Sequence, residues 1–529
     1  MFNLLTNPWL PIVRQDGTKS VIAPRDITED ISSNPVIAVN WPRADFRLAT
    51  MELLVGLIAT ACPPADEDDW LDAWEAPHSP EKLDGAFAPL AHAFSFDGPG
   101  PRFMQDLADL DADEEPVENL LIEVAGNSGP LVHPGRTKRM GRPAAAISLY
   151  TLQSWSPSGG RGNRTGLRGG GPMVTMVAPG RHRSLWHHIW ANVPLGRKPE
   201  PVDFPRIFPW LSPTITSVND EVVTPDDVAH PLQVWWGMPR RIRLSFVQLP
   251  SPAPCDLTGA LDSSVVTGWR QRPHGPKYVG WGARHPLTPT YQNKAGEEIL
   301  SVHPNPGGVG YRNWIGLVLR SPDGLRRPAP IVSTWRNDRY RGTEEAKGAR
   351  LIAGGYDTDN MKARGFMETE VPLVLASSKE VQERLDALAT SLVRASERAS
   401  YQLRKAVQQA LYHPGAKVKA TAHGIALLGD RVWLETESAF FSALDRAMSL
   451  DDTAPERVAW QVRLRGLALR IFDDTVPIDP LDRNNARQVR ARFFLGLGLS
   501  GYGKDGQSFF QILEMPLPAQ EKKSKGKAS

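Results

Sequence analysis

The stretch SGGRGNRTGLRGGGP, residues 158–172, is the most distinctive segment of the chain. Seven of its fifteen residues are glycine and three are arginine, and it carries no apolar pattern that a core could use. Glycine lets backbone amides come close to a ligand because no Cβ stands in the way. Arginine supplies planar donors suited to phosphates and base edges. A large, flat, anionic ligand is therefore the first candidate, and nucleic acid fits that description.

The composition is that of a large globular protein. The chain has 529 residues, of which 41% are hydrophobic, so we expect two or more domains with sizeable cores. The formal net charge is only +2, but acidic residues concentrate before residue 120 and basic residues crowd the middle. The basic clusters are Arg136/Lys138/Arg139/Arg142, Arg161/Arg164/Arg168, Arg240/Arg241/Arg243 and Arg336/Arg339/Arg341. This asymmetry is consistent with a basic surface that binds a polyanion. The charge distribution alone is equally consistent with several separate solvent-exposed faces.

Cysteine usage and hydropathy exclude several classes of protein. The two cysteines, Cys62 and Cys255, cannot form a disulfide framework or a four-cysteine zinc site. The first residues lack the basic and apolar regions of a signal peptide, and no run of about 18 apolar residues predicts a transmembrane helix. We therefore expect a cytoplasmic protein.

The pattern of apolar, proline and glycine residues changes near residue 370. Before it, short apolar runs alternate with proline and glycine, Phe46 to Thr60 is predicted to be a helix, and Arg240 to Leu249 is predicted to be extended. We predict one loop-rich α+β domain over residues 1–370. The fold class is therefore α+β, with a large mixed N-terminal domain followed by an all-α domain.

Residues 371–515 are predicted to form a four-helix bundle. The first helix begins at the capping box Ser377-Ser378-Lys379-Glu380, with Ser at the N-cap and Glu at N3, and the second covers Arg431 to Met448. The third begins at a capping box at Thr453, and the fourth opens at Asp479-Pro480. In the fourth helix, the helical spacing predicts that Val489, Phe493 and Leu497 face inward. Residues 516–529 are predicted to be a disordered basic tail.

Catalytic motifs are scarce. The glycine-rich stretch matches neither a phosphate-binding P-loop nor a dinucleotide-binding fingerprint, and no serine–histidine–aspartate arrangement is evident. Asp357 and Asp359 place alternate carboxylates where a divalent metal could bind, so a metal-dependent nuclease is the alternative function. A surface turn after Gly354-Gly355 is the plainer interpretation of this segment. A purely structural scaffold is a third possibility.

Other loops carry residues suited to nucleic acid. Residues 132–139 form a basic, glycine-containing segment, which an exposed basic loop explains equally well. Residues 270–277 carry cations between prolines, and residues 354–356 are predicted to form a turn with polar residues at its tip. Such elements suit a protein that contacts phosphates and separates base pairs.

Four short motifs resemble one known family, the large subunit of the type I-E CRISPR Cascade surveillance complex, the CasA family. The most specific is Thr165 to Pro172, which is similar to the family's Ser-Gly-Leu-Arg-Gly-Gly-Thr-Pro. The N-terminal segment 2–12, Phe103-Met104-Gln105, and Leu351 to Tyr356 resemble further family motifs. These motifs and the domain order cover nearly the whole chain.

The resemblance implies a non-catalytic DNA-binding subunit. Such a subunit reads the protospacer-adjacent motif (PAM) of duplex DNA, largely from the minor groove, and starts its unwinding. The implied partners are double-stranded target DNA, the displaced single strand, crRNA, the other Cascade subunits and a helicase-nuclease, with no membrane. Because the minor groove distinguishes mainly A·T from G·C, tolerance of several PAM sequences is expected.

The resemblance also implies roles for particular residues. The family's glycine loop corresponds to Ser158–Gly162, which gives Gly159, Gly160, Arg161 and Gly162 as candidates. Its lysine finger falls within Arg270–Arg272, with Arg272 the first choice and Arg270 the second, and its wedge falls at Asp359, Asn360 and Met361. A loop that contacts both complex and DNA corresponds to Val132–Arg142, with candidates Val132, His133, Arg136, Lys138 and Arg139. Cysteine pairs that bind zinc in the family are absent except for Cys255, so we predict no metal and no cofactor.

Overall fold

The computed structural model describes residues 1–124, 134–160, 162–180, 183–305, 307–340, 348–359, 362–413, 418–419, 423–477 and 485–519. Over these residues the chain folds into two compact units. The N-terminal unit contains Met1–Val309 and Gly316–Leu373, and the helical unit contains Gly310–Ile315 and the chain from Val374 onward. The mixture of helices and sheets confirms the predicted α+β class.

Short antiparallel sheets form the β-structure of the N-terminal unit. Their strands are β1 Leu10–Arg14, β2 Lys19–Ile22, β3 Val36–Val39, β4 Glu115–Pro116, β5 Met140–Gly141, β6 Val174–Ala178, β7 Arg241–Pro254, β8 Leu261–Arg272, β9 Thr290–Tyr291, β10 Leu300–Ser301, β11 Arg326–Arg327, β12 Arg350–Asp359 and β13 Lys362–Pro372. The strand orders are β2-β1-β3, β10-β9-β11, β13-β12-β6 and β4-β8-β5, with β7 also paired to β8. The long β7–β8 hairpin confirms the extended segment predicted from residue 240.

The helices before residue 370 are mostly short. They are α1 Ala44–Ala61, α2 Glu67–Glu75, α3 Pro80–Phe87, α4 Arg142–Trp155, α5 Leu185–Trp190, α6 Phe204–Ile207, α7 Trp314–Leu317 and α8 Pro330–Thr334. The helix predicted from Phe46 is confirmed as α1. Both α1 and α4 are apolar around most of their circumference and are accordingly buried on nearly all sides.

In the part of the helical unit that the structure describes there are five long or medium helices, one more than the predicted bundle. They are α9 Lys379–Leu411, α10 His423–Ala447, α11 Ala454–Thr475, α12 Ala486–Gly498 and α13 Gly503–Ile512. A serine caps α9 as predicted, since the Ser378 hydroxyl accepts the Val381 amide at 3.2 Å, but this cap places Glu380 at N2 rather than at N3. Asp479-Pro480, where the fourth helix was predicted to open, lies outside the described residues.

The predicted inward face of α12 is wrong. Val489 is 47% exposed and Phe493 is 59% exposed, whereas Ala491 and Leu495 are buried. The buried face of α12 runs through Ala491, Leu495 and Gly498, and a Cβ on Gly498 would lie 2.5 Å from Gln402 Oε1 of α9. The helical spacing holds, but the face that α12 covers is not the one through Val489 and Phe493.

Among the described residues, no helix combines the length and the apolar composition that crossing a membrane requires.

Candidate nucleic-acid interface

The glycine-rich stretch begins as a tight turn after α4. The Gly159 amide donates to the Asn163 carbonyl at 3.1 Å, and the Asn163 amide donates to the Gly160 carbonyl at 2.8 Å. Gly160 has φ +66° and Gly162 has φ +79°, a left-handed backbone that glycine adopts at no steric cost. A Cβ on Gly160 would meet no described atom within 4 Å, so this turn presents bare backbone to open space. The candidate Arg161 lies outside the described residues.

This turn lies directly against the end of β8. The Gly162 carbonyl accepts the His274 amide at 3.0 Å. A Cβ on Gly162 would lie 2.9 Å from the His274 nitrogen and 3.2 Å from Pro273 Cβ, so glycine is needed for this approach. Because β8 ends at Arg272, the glycine turn and the candidate finger residues Arg270 and Arg272 are brought together.

Arginines share one face of the β7–β8 hairpin. The strand register places Arg241 opposite Arg272 and Arg243 opposite Arg270. Directly opposed residues, and residues two apart on one strand, project to the same side of a sheet. The arginine face is therefore Arg241, Arg243, Arg270 and Arg272. Arg272 pairs with Asp111 at 3.4 Å, and Arg270 forms no ion pair with a carboxylate of the described chain.

The β12–β13 connection supplies the third predicted element. Asp359 is paired with Lys362 in the strand register, and the candidate wedge residues Asn360 and Met361 between them lie outside the described residues. A cavity of about 340 Å³ brings these elements together. Its lining includes Gly159, Gly160, Asn163, Arg240, Gln271 and Lys362. The glycine turn, strand β8 and the start of β13 therefore meet around one concave surface.

The predicted turn at Gly354-Gly355 is wrong, because both glycines lie inside β12. A Cβ on Gly354 would lie 2.7 Å from Leu48 Cδ2 of α1, and one on Gly355 would lie 2.7 Å from the Pro172 carbonyl oxygen. These glycines serve close packing of the strand against its neighbours rather than chain reversal. The antiparallel pairing of β12 with β13 continues well beyond these glycines, as far as Asp359 and Lys362.

Both carboxylates of the nuclease hypothesis are paired with Arg364. Its Nη2 and Nε lie 2.7 and 2.9 Å from the two oxygens of Asp357, and its Nη1 lies 3.4 Å from Asp359. The hydrogen bond to Asp357 raises the pKa of Arg364. Asp357 thus has both oxygens engaged by a guanidinium, which is a structural ion pair rather than an open set of metal ligands.

Arg240 is a buried cation beneath the glycine turn that the sequence singled out only as part of a cluster. Its Nη2 donates to the Pro157 carbonyl at 2.5 Å, and its amide donates to Gln153 Oε1 at 3.0 Å. Burial lowers the pKa of Arg240 to about 10, which leaves it charged at neutral pH. Arg240 therefore ties the beginning of the glycine-rich stretch to β7 and α4.

A second buried charge, Glu52, was missed by the sequence reasoning. Its carboxylate binds the Arg168 guanidinium through contacts of 2.5 and 3.2 Å and accepts the Trp155 indole N–H at 3.2 Å and the Tyr150 hydroxyl at 3.3 Å. Arg168 also donates to Thr288 Oγ1 at 3.2 Å. A carboxylate in the middle of the largely apolar stretch Leu48–Ala61 of α1 was the available signal, because such a group is rarely buried without a partner.

The family motif around Arg168 is a compact turn docked on α4. The Gly169 amide donates to the Gly166 carbonyl at 3.1 Å, and the Gly171 amide donates to the Trp155 carbonyl at 2.9 Å. A Cβ on Gly166 would lie 2.7 Å from the Ser154 carbonyl oxygen. These contacts show why the motif is rich in glycine and why its arginine points inward.

The basic segment before α4 is fixed by carboxylates. The Gly135 amide donates to Glu118, at 2.8 Å, and the Lys138 and Arg139 amides donate to Asp256 Oδ2 at 2.8 and 3.0 Å. The Arg136 and Lys138 side chains are exposed, whereas Arg139 is half-buried and lies 3.6 Å from Asp256. The candidates Val132 and His133 lie outside the described residues.

The region where the resemblance implied zinc-binding cysteines is held by an ion pair. Arg142 Nη2 lies 2.7 Å from Asp262 Oδ1, and the Arg142 amide donates to Asp262 Oδ2 at 2.8 Å. Cys255 is buried beside this pair. No group of three or more histidines, cysteines and carboxylates suited to a metal ion occurs within the described ranges.

Comparison with known proteins agrees with this architecture. Residues 3–471 match the family model of CRISPR-associated protein Cse1. The fold is similar to Cse1 from Acidimicrobium ferrooxidans, with 18% identity, a TM-score of 0.63 and coverage of 97% of this chain and 98% of that chain. It is similar to CasA (Cse1) from Thermus thermophilus, with 16% identity, a TM-score of 0.67 and coverage of 97% and 99%.

A chain of a structure described as a CRISPR RNA-guided surveillance complex has the same fold. That chain is 17% identical, with a TM-score of 0.66, and the match covers 94% of this chain and 99% of that one. The family prediction is confirmed by a match over most of the chain. This protein belongs to the CRISPR-associated protein Cse1 family, the large subunits of type I-E Cascade.

Proposed function

We propose that this Cascade subunit reads the PAM of duplex DNA from the minor groove and opens the duplex beside it without catalysing a reaction. The observation that supports the proposal most is the meeting of the glycine turn, the end of β8 and the start of β13 around one cavity. These are the elements that the family resemblance assigns to the glycine loop, the finger and the wedge. At this cavity β8 contributes Gln271, whereas the side chains of its neighbours Arg270 and Arg272 project to the other side of the strand. The three elements are adjacent in space, as joint recognition of a short duplex requires.

Each element suits a different part of this task. Gly159 and Gly160 offer backbone donors and acceptors without side-chain bulk, as a narrow groove demands. Arg270 and Arg272 suit the strong negative potential of a narrow minor groove. Asn360 supplies a polar edge and Met361 an apolar surface that can insert between base pairs.

The proposal also assigns roles to the parts of the chain and names the partners that they would contact. Residues 1–370 would carry PAM recognition, 371–515 the helical domain and 516–529 a basic tail. The exposed Arg136 and Lys138, together with Arg139, Val132 and His133, would contact DNA and neighbouring subunits. Further partners would be crRNA, the displaced strand and a helicase-nuclease, which together imply a cytoplasmic setting.

Strand opening tests the proposal. In the assembled, crRNA-loaded complex, Asn360→Ala/Met361→Ala should slow the opening of a PAM-bearing duplex while leaving assembly intact. Opening is measured by the fluorescence of a base analogue placed in the first paired positions of the target. A target with those positions already unpaired is the control and should bind normally. Unchanged opening of the fully paired duplex would remove these residues from the wedge.

The alternative function is a metal-dependent nuclease that uses Asp357 and Asp359. A metal ion at this site would have to compete with Arg364, which forms ion pairs with both carboxylates. Incubation of the full chain with labelled duplex and magnesium or manganese tests it. Cleavage by the wild-type chain that disappears in Asp357→Asn/Asp359→Asn would favour the nuclease. A duplex that stays intact in the presence of the wild-type chain and metal would agree with the proposed binding role.

A further inference from the structure

An acidic segment, residues 106–115, lies along the arginine face. Asp106 is its anchor: its Oδ2 lies 2.6 Å from Arg241 Nε, and its carbonyl accepts Arg243 Nη1 at 3.0 Å. The Asp106 side chain is only 1% exposed. The segment is therefore fixed at its beginning by a buried, hydrogen-bonded ion pair.

Beyond this anchor the segment makes looser contacts with the same face. Asp109 Oδ1 lies 3.7 Å from Arg243 Nε, and Asp111 Oδ2 lies 3.4 Å from Arg272 Nη2. The side chains of Asp109 and Asp111 are 98% and 108% exposed. These carboxylates are held at the rim by charge alone, with solvent around them.

The arrangement has a physical cause in the hairpin itself. Like charges that face each other across paired strands repel, and the register opposes arginine to arginine at both positions of the arginine face. The carboxylates offset this repulsion when DNA is absent. The Arg272 side chain is 44% exposed, so a phosphate that approaches it must take the place of Asp111. The Arg243 side chain is only 12% exposed, and a phosphate that reaches its remaining exposed part must take the place of Asp109.

Exposed ion pairs are weak and screened by salt, so this replacement is feasible. A duplex carries one negative charge per about 1.7 Å of its axis and can supply phosphates to the whole face. The competing carboxylates lower the affinity for every duplex by the same factor. Duplex without a PAM, which gains nothing from the glycine turn, then dissociates sooner.

We propose that Asp109 and Asp111 act as an intramolecular competitor for phosphate that limits sequence-independent DNA binding by Arg243 and Arg272. This inference rests on the proposed function, because it requires that the arginine face contact DNA. It adds a role for the acidic segment: sequence-independent affinity is reduced, while the ratio of affinities for duplexes with and without a PAM is unchanged.

Binding of the full chain to a labelled duplex of random sequence tests the inference. Asp109→Asn/Asp111→Asn should raise the association constant about five-fold at low salt, as expected for the loss of two competing exposed ion pairs. The ratio to wild type should fall toward one as salt increases. Fluorescence anisotropy at several salt concentrations measures both effects.

Two matched variants separate competition from net charge and from misfolding. Asp68→Asn/Glu75→Gln removes the same number of negative charges as Asp109→Asn/Asp111→Asn, but from exposed positions of α2, which is distant in sequence from the arginine face. This control should raise the affinity for duplex much less than Asp109→Asn/Asp111→Asn does. Asp109→Glu/Asp111→Glu keeps both charges and should bind as wild type does. Equal melting temperatures of all variants establish that each is folded.

The outcomes separate this inference from the proposed function. If Asp109→Asn/Asp111→Asn binds no better than the Asp68→Asn/Glu75→Gln control, the competitor is refuted. If Arg270→Ala/Arg272→Ala weakens binding in that same experiment, the arginine face still contacts DNA and only the competitor fails. If the arginine variant binds duplex as wild type does, the arginine face itself is not a DNA contact.

Discussion

Arg168 and Glu52 form a bidentate ion pair in the interior of the N-terminal unit, with Arg168 Nη2 2.5 Å from Glu52 Oε1 and Nη1 3.2 Å from Oε2. The same carboxylate accepts the indole N–H of Trp155, the last residue of α4. Trp155 and Arg168 flank residues 156–167, so one buried carboxylate holds both ends of the segment that carries the glycine turn. Arg168 cannot shift without leaving a buried charge without its partner, and Trp155 cannot shift without removing a hydrogen bond from the same buried carboxylate.

Breaking this ion pair should destabilise the N-terminal unit strongly. Glu52→Gln leaves the Arg168 guanidinium buried without a counter-charge, which costs about 3–5 kcal/mol of unfolding free energy. Replacing both partners, in Glu52→Leu/Arg168→Met, should recover much of the loss because no unpaired charge remains. Thermal and denaturant unfolding of the full chain measure the difference, with Asp68→Asn on α2 as a surface control. A single variant as stable as the double variant would contradict this account of the pair.

Gly162→Ala should disrupt the junction between the glycine turn and β8. The left-handed backbone alone costs a side chain about 1–2 kcal/mol, and the added Cβ would also press on the His274 nitrogen at 2.9 Å. Gly17→Ala is the matched control, because Gly17 has φ +87° and no atom within 4 Å of the Cβ position. We expect Gly162→Ala to lower both the melting temperature and the affinity for PAM-bearing duplex more than Gly17→Ala does. Equal effects would mean that close contact with His274 is unimportant.

Stability should fall as the pH drops below about 6.5, because the fold buries a neutral histidine. Burial, and then the nearby Arg168 cation, hold the pKa of His285 well below its usual 6.5. A depressed folded-state pKa favours folding fully above the unfolded pKa, and this contribution declines as the pH falls toward the folded value. The slope is at most about 1.4 kcal/mol per pH unit for one histidine.

Melting temperatures between pH 7 and pH 5 measure this effect. His285→Asn should show a shallower decline than wild type, whereas the exposed His92→Asn should decline in parallel with wild type. Parallel curves for wild type and His285→Asn would show that His285 does not contribute to the acid sensitivity.

Sequence motifs predicted the family, the α+β class and the candidate loops, because these depend on local patterns. The helix at α1, the cap at Ser378 and the extended segment after Arg240 are likewise set by short-range rules of spacing and capping. The juxtaposition of Gly162 with His274 was beyond such rules. It depends on which loops the sheets bring together.

The wrong predictions have tertiary causes. Gly354 and Gly355 were assigned to a turn because glycine favours turns, yet their role is to let β12 pack closely against α1 and Pro172. Phe493 was assigned to a core by its spacing, yet α12 packs through Ala491, Leu495 and Gly498 and leaves Phe493 exposed. Spacing identifies the faces of a helix, but the neighbouring helix decides which face is covered.

The most direct test of PAM reading by the glycine turn is selection from a library of randomised PAM duplexes by the assembled, crRNA-loaded complex. Gly160→Asn suits this test because asparagine tolerates the left-handed backbone and its side chain would fill the open space above the turn. Gly17→Asn, at another open left-handed position, is the control. The account predicts that wild type and Gly17→Asn enrich the same PAM sequences and that Gly160→Asn loses this enrichment while still binding a target opened in advance. An unchanged PAM profile for Gly160→Asn would contradict the account.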